Sequence, residues 1–379
     1  AAAKARVQDA AALEEWDTAT GRIRPAAFSK TAQGLEFALN LPPAGSLLLV
    51  ARAQASTAAA PPKPAWRNLS ASPWTVSMDE PNVLVLDYCD LEVAGESFPD
   101  INTWRANWLI WQRHGFERPA WDNAVQFRRN VLERKFGEGT GFRARFRFTV
   151  IGAPPKGLQL AVEQPDLYRI SVNGKPVDFS AATRWLDPHL KAASIEGLAA
   201  PGPNEVLLEA APFDPRMELE NIYILGNFVL SPADKGFHIT ATKAPVVGYW
   251  SKQGRPFYSG SATYSVKARI PAGHGRLRVS LKEWAGSLAE VLVNGQALGW
   301  IGWPPYETEV PVKPGNAVVE VRVHGTPRNV FGPFHHPQKI RFRAWPNAWA
   351  EFPANQPPGD AYDVLDYGLA APPALATAP

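Results

Sequence analysis

The chain has 379 residues and a formal charge of +3, from 39 basic and 36 acidic side chains. So small a surplus excludes a focused field for nucleic acid or an anionic membrane. A single cysteine, Cys89, excludes an intrachain disulfide and a cysteine zinc cluster, and 37 prolines with 29 glycines argue against a long helical bundle.

At roughly 150 residues per domain, the length predicts two or three domains. The opening, AAAKARVQDAAALEEW, has no basic stretch followed by an apolar run, so a secretion signal would lie upstream of residue 1. No run of 18 apolar residues occurs, so no helix is expected to span a membrane. Leu35, Phe37, Leu39 and Leu41 alternate as in a half-buried strand, and Leu47 to Val50 reads as another. Two or three strands do not make a stable domain. Residues 1–53 are therefore expected to be the last strands of a preceding β domain, and the chain a piece or cleavage product of a larger one.

Residues 54–136 read as a linker and a connecting, helix-containing segment. AQASTAAAPPKPAW (53–66) has the composition of a linker or surface strap. Residues 74–77 and 83–88 read as strands, with Cys89 as a small buried hydrophobe. Trp104, Trp108 and Trp111 recur at helical spacing, predicting one buried helix face. Val125, Phe127, Val131 and Leu132 suggest a second short amphipathic piece.

The rest contains an internal echo. FRARFRFTV, LQLAVEQ, LYRISVNGKPV and PGPNEVLLEA are answered by YSVKARI, LRVSLKEW, AEVLVNGQALGW and KPGNAVVEVRV, with Asn173-Gly174 and Asn294-Gly295 121 residues apart. Asn-Gly after an alternating strand favours a type I′ hairpin, whose two central residues need positive φ. The expected fold is all-β: tandem antiparallel β-sandwiches or jelly rolls with one helical excursion, of the galactose-binding-like kind by the resemblance given below. The expected limits are 137–235 for the first, 236–350 for the second and 351–379 for a C-terminal tail.

Residues that could carry chemistry are few. Glu307 and Glu309 share a strand face about 7 Å apart, a spacing compatible with glycosidase carboxylates; a solvated face is the plainer expectation. No catalytic residue is assigned, and no cofactor or metal ligand set is evident. A structural calcium ion would have to rely on backbone carbonyls, since no EF-hand-like run of oxygen ligands occurs. For carbohydrate, Trp300, Trp303 and Tyr306 offer apolar faces, and Arg328, Asn329, His335 and His336 offer planar polar groups.

The segments FYSGSATYSVKARI, LKEWAGSLAEVLVNGQALGW, PPYETEV and KPGNAVVEVRV resemble the sugar-binding-like jelly roll of family 2-type glycoside hydrolases. VHGTPRNVFGPFHH, NVLVLDYCDLEVAG, HGFERPAWDNAVQF and ENIYILGNFVL resemble the C-terminal region of bacterial enzymes related to the family 106 α-L-rhamnosidases. That resemblance implies a catalytic barrel upstream, acting on plant or microbial polysaccharide or glycosides. This chain would be its accessory, non-catalytic portion, with the barrel and carbohydrate as partners and a periplasmic or extracellular setting. The alternatives are a free-standing carbohydrate-binding, lectin-like protein and a ligand-free structural or assembly module.

Overall fold

The computed structural model describes residues 2–18, 21–41, 45–54, 64–71, 73–119, 131–335 and 351–379. Strands dominate, as the alternating patterns predict. Near the N-terminus, Gly34–Asn40 pairs with Ala2–Val7 and Ser29–Thr31, while Ala12–Trp16 pairs with Ile23–Pro25 and Leu48–Arg52. Ala12, Leu13 and Leu35 are the residues buried there.

Two β-sandwiches follow, and the sequence echo becomes an echo of topology. In the first, one sheet runs Phe142–Val150, Gly202–Ala210, Arg169–Val172, Lys175–Pro176 in spatial order. In the second, Ser261–Ile270, Gly315–His324, Leu288–Val293 and Gln296–Ile301 take the same order. The facing sheets correspond as well. Asp187–Ser194, Gln159–Glu163, Ile222–Gly226 and Asn82–Leu86 lie side by side in one, and Glu307–Pro311, Arg276–Ser280, Ala374–Ala378 and Arg67–Leu69 in the other. Among the described strands the pairing is antiparallel apart from a short parallel contact between Phe142–Val150 and Phe237–Ala241.

Each hairpin turns on its Asn-Gly pair. Asn173 and Gly174 have φ of 50° and 76°, and Asn294 and Gly295 have 54° and 77°, as a type I′ turn requires. Each asparagine also clamps a neighbouring strand. Asn173 donates from its backbone N–H to the Glu205 carbonyl, and its side chain accepts from the Glu205 N–H; Asn294 does the same with Val318.

Alternation places two separate cores. Phe142, Ala144, Phe146, Phe148 and Val150 face inward in the first sandwich, and Ala262, Tyr264, Val266 and Val319, Val321, Val323 in the second. The segment 54–136, expected as a linker and connecting piece packed on the sandwiches, supplies strands to both. Thr75–Met78 pairs with Ser261–Ile270, whereas Asn82–Leu86 and Tyr88–Val93 join the first sandwich. The expected tail supplies Ala374–Ala378 to the second. Each of these short apolar runs leaves a neighbouring strand's hydrogen-bonding groups unsatisfied unless it joins the ladder.

The predicted helix spans Thr103–Arg113 and is capped by Asn102, whose side chain accepts from the Trp104 N–H. Trp111 is fully buried, edge-on to Phe213; Trp104 and Trp108 are half-buried neighbours. Of the second amphipathic piece expected, Val125 and Phe127 lie outside the described residues.

Candidate functional site

The outward face of the second sandwich's five-stranded sheet carries the residues that alternate with its core. Register sets Trp300 beside Glu290, Glu290 beside Arg322, Arg322 beside Thr263 and Thr263 beside Ser77. The next row holds His324 between Leu288 and Ser261. This face is half-buried to exposed apart from Ser261, which is buried.

Its polar groups are held in place. Arg322 Nε donates to Asp79 Oδ2 at 2.7 Å, and Thr263 Oγ1 donates to Asp79 Oδ1 at 3.3 Å. Ser265 Oγ donates to Glu320 at 3.0 Å, and Ser261 Oγ meets His324 Nδ1 at 2.9 Å. Trp300 is 51% exposed, its ring centroid 6.4 Å from that of His324 and inclined by 31°. Trp303, in the following turn, is 59% exposed. Indoles left in water beside fixed hydrogen-bonding groups make a surface that offers both stacking and directional polar contacts.

The other residues expected to bind carbohydrate take different positions. Tyr306 is half-buried against the core, edge-on to Trp284 at 5.5 Å. The chain after Gly315–His324 turns through a short helix, Arg328–Phe331, and runs back toward the first sandwich. Arg328 is half-buried there, its Nη2 donating to Asp363 Oδ2 at 3.1 Å and its guanidinium 4.7 Å over the Phe334 ring. Asn329 is 2% exposed and uses its whole amide: Nδ2 donates to the Pro256 and Leu365 carbonyls, and Oδ1 accepts from the Leu365 N–H.

His335 is buried against Asp87, Nε2 to Oδ2 at 3.1 Å. His336 lies outside the described residues. Arg328 and His335 are held at the carboxylates of Asp363 and Asp87, and Asn329 at the backbone of Pro256 and Leu365. They do not join Trp300 and Trp303 at the surface. Glu290, Arg322, Asp79, Glu320 and His324, which do share the Trp300 face, went unmarked in the sequence reading. Their signal was the polar phase of the same alternation that marked the core.

Glu307 and Glu309 form part of a charge ladder. Arg278 Nη2 donates to Glu309 at 2.7 Å, Arg276 also pairs with it, and Ser280 Oγ donates to Glu307 at 3.2 Å. Burial pushes the Glu309 carboxyl up, but the two arginine hydrogen bonds outweigh it and hold it below the usual range. A carboxyl so neutralised is poorly suited to act as a general acid. Cys89 is buried with its thiol pushed well up by desolvation, which keeps it from nucleophilic chemistry. Among the described residues, no three His, Cys, Asp or Glu side chains are placed to hold a metal ion. No helix among them is long and apolar enough to cross a membrane.

No family model matches the chain, and no curated protein sequence matches it. Among solved structures, a rhamnosidase from Novosphingobium sp. PP1Y is similar at 20% identity over 64% of this chain and 23% of its own, with a TM-score of 0.25. A β-D-mannosidase from Dictyoglomus thermophilum is similar at 9% identity over 65% and 31%, with a TM-score of 0.24. The α-L-rhamnosidase of Streptomyces avermitilis is similar at 15% over 62% and 24%, with a TM-score of 0.22. This chain spans less than a third of the length of each. At such values the likeness supplies neither an activity nor the role of any residue.

Proposed function

We propose that this chain is the non-catalytic β-sandwich portion of an α-L-rhamnosidase-like glycoside hydrolase, one that supports a catalytic barrel and holds carbohydrate on the outer face of its second sandwich. The single observation that carries the binding role is the pair of exposed indoles, Trp300 and Trp303, of which Trp300 stands beside fixed polar side chains. A pyranose has an apolar C–H face and a rim of hydroxyls. Trp300 would take the first, while Glu290 and Arg322 would take the second. The resemblance of residues 82–95, 114–127, 220–230 and 323–336 to the C-terminal region of family 106-related enzymes supports the parent assignment.

The test is binding of the intact chain to a panel of rhamnose-containing and other plant and bacterial polysaccharides, by affinity electrophoresis and calorimetry. Trp300→Ala with Trp303→Ala should abolish binding while moving the unfolding free energy by less than about 0.5 kcal/mol per site, as expected at exposed positions. Flat binding across the panel would overturn the carbohydrate role and favour a ligand-free assembly module. Hydrolysis of aryl α-L-rhamnoside by the chain alone would overturn the accessory role. Hydrolysis only with the upstream region present would support it.

A further inference from the structure

A cleft of about 700 Å³ lies between the hairpin of Phe228–Pro232 and Phe237–Ala241, the loop 243–256 and the segment 359–366. That is within the size range of clefts that hold small ligands. Arg255 lines it and is only 5% exposed. Its Nη1 donates to the Gln253 carbonyl at 3.0 Å and its Nη2 to the Lys243 carbonyl at 2.7 Å. These bonds leave Nε–H and one N–H of each Nη without a protein partner. Nε is not sealed from solvent.

The charge of Arg255 is also unmatched. Burial draws its pKa below the ordinary arginine value, and the group acting the other way is Tyr258. Burial pushes the Tyr258 hydroxyl up, so it stays neutral and supplies no counter-charge. Among the described residues no carboxylate pairs with Arg255. A buried charge without a partner is costly. Clamping the loop needs only the two carbonyl bonds and explains neither the charge nor the spare donors.

The surroundings are built. Gln253 Oε1 accepts from the Val246 N–H at 2.9 Å, and its Nε2 donates back to the Val246 carbonyl at 3.1 Å. The loop is thus folded around the guanidinium. Lys243 and Lys252, both exposed, line the cleft, as do exposed Asp360 and half-buried Asp366, which accepts from Ser251 Oγ. Unpaired donors need an acceptor, which excludes a cation. A neutral hydroxyl would accept but leave the charge unmatched. The two aspartates disfavour a dianion. A carboxylate matches both the charge and the planar fork of a guanidinium, and Val246, 61% exposed, offers an apolar surface to its carbons.

We propose that this cleft is a second binding site, which takes the carboxylate of a singly charged organic acid, a uronic acid sugar or a small organic acid, on the free edge of Arg255. It is formed by residues other than those of the proposed sheet-face platform and does not depend on it.

The test follows the Arg255 Nε–H resonance by ¹⁵N NMR, assigned through bonds in the intact chain, at constant ionic strength. The probes are sodium D-glucuronate, sodium acetate, D-glucose and sodium phosphate. A carboxylate should move the signal saturably, and glucose and phosphate should not. Tighter binding of glucuronate identifies a sugar acid as the source; acetate binding as well or better identifies a small organic acid. By calorimetry, Arg255→Lys, which keeps the charge and loses the fork, should weaken carboxylate binding about tenfold or more. That substitution also cuts a tie to the loop, so the wild-type titration stands without it. Lys252→Gln, at an exposed position, should weaken binding about two- to threefold with unfolding unchanged. The Trp300→Ala, Trp303→Ala variant should keep the full Arg255 response whether or not the platform binds. No saturable response to either carboxylate, or an equal response to glucose or phosphate, would overturn the proposal.

Discussion

His114 shows how one side chain responds to its surroundings. Its Nε2 accepts from the Gly141 N–H at 3.1 Å, so the proton sits on Nδ1, which donates to the Ile110 carbonyl at 2.7 Å. The ring stacks on Phe213 at 4.1 Å. Burial pushes its pKa below 6.5, with the Ile110 carbonyl pulling the other way. The folded state therefore favours the neutral ring. Its contribution to stability is full above the unfolded-state pKa and is lost as the pH falls from there through the lower folded value. Guanidinium unfolding at pH 7 and pH 5 should show a loss at the lower pH that is smaller in His114→Gln; an identical loss in both would refute the assignment.

Elements are held by a few positions that propensity alone does not reveal. Asn294 supplies a positive φ and accepts the Val318 N–H at 2.9 Å, and Asn173 does the same for Glu205 at 3.0 Å. Asn294→Ala should cost about 1–2 kcal/mol through backbone strain and the lost bond, and Asn173→Ala a similar amount. The two turns serve separate cores, so the losses should add within about 0.5 kcal/mol in chemical denaturation; strong coupling would mean that the sandwiches do not behave as separate units at these turns.

The whole molecule is tied together by its C-terminal stretch. Residues 353–363 lie on the first sandwich: Tyr88 Oη donates to the Pro353 carbonyl, Gly236 N–H to the Pro357 carbonyl, and Tyr362 Oη to Asp87. Ala374–Ala378 then inserts between Arg276–Ser280 and Arg67–Leu69 in the second, burying Leu375, Thr377 and Ala378. Deleting residues 371–379 strips the inner strand from a four-stranded sheet. The expected result is proteolysis confined at first to the second sandwich, with the strands of the first sandwich surviving; simultaneous loss of both would show that the sandwiches unfold as one.

The sequence by itself determined the β class, the Asn-Gly hairpins, the repeated unit and the helix at Thr103–Arg113. These depend on local periodicity and on the φ demands of a few residues, which are written within a dozen positions of each other. It also marked Trp300 and Trp303, because a Trp-Ile-Gly-Trp-Pro-Pro-Tyr run concentrates aromatics at a turn. What only the tertiary structure decided was which distant segments complete each sheet and which polar residues go inside. Arg67–Leu69 and Ala374–Ala378 are neighbours across some 300 residues, and no local pattern encodes such a pairing. Arg328, Asn329 and His335 look like a polar surface in one dimension. In three they turn inward: the Asn329 and His335 side chains are buried, Arg328 is half-buried, and they bond Leu365, Asp87 and Asp363, residues far from them in sequence or on another strand.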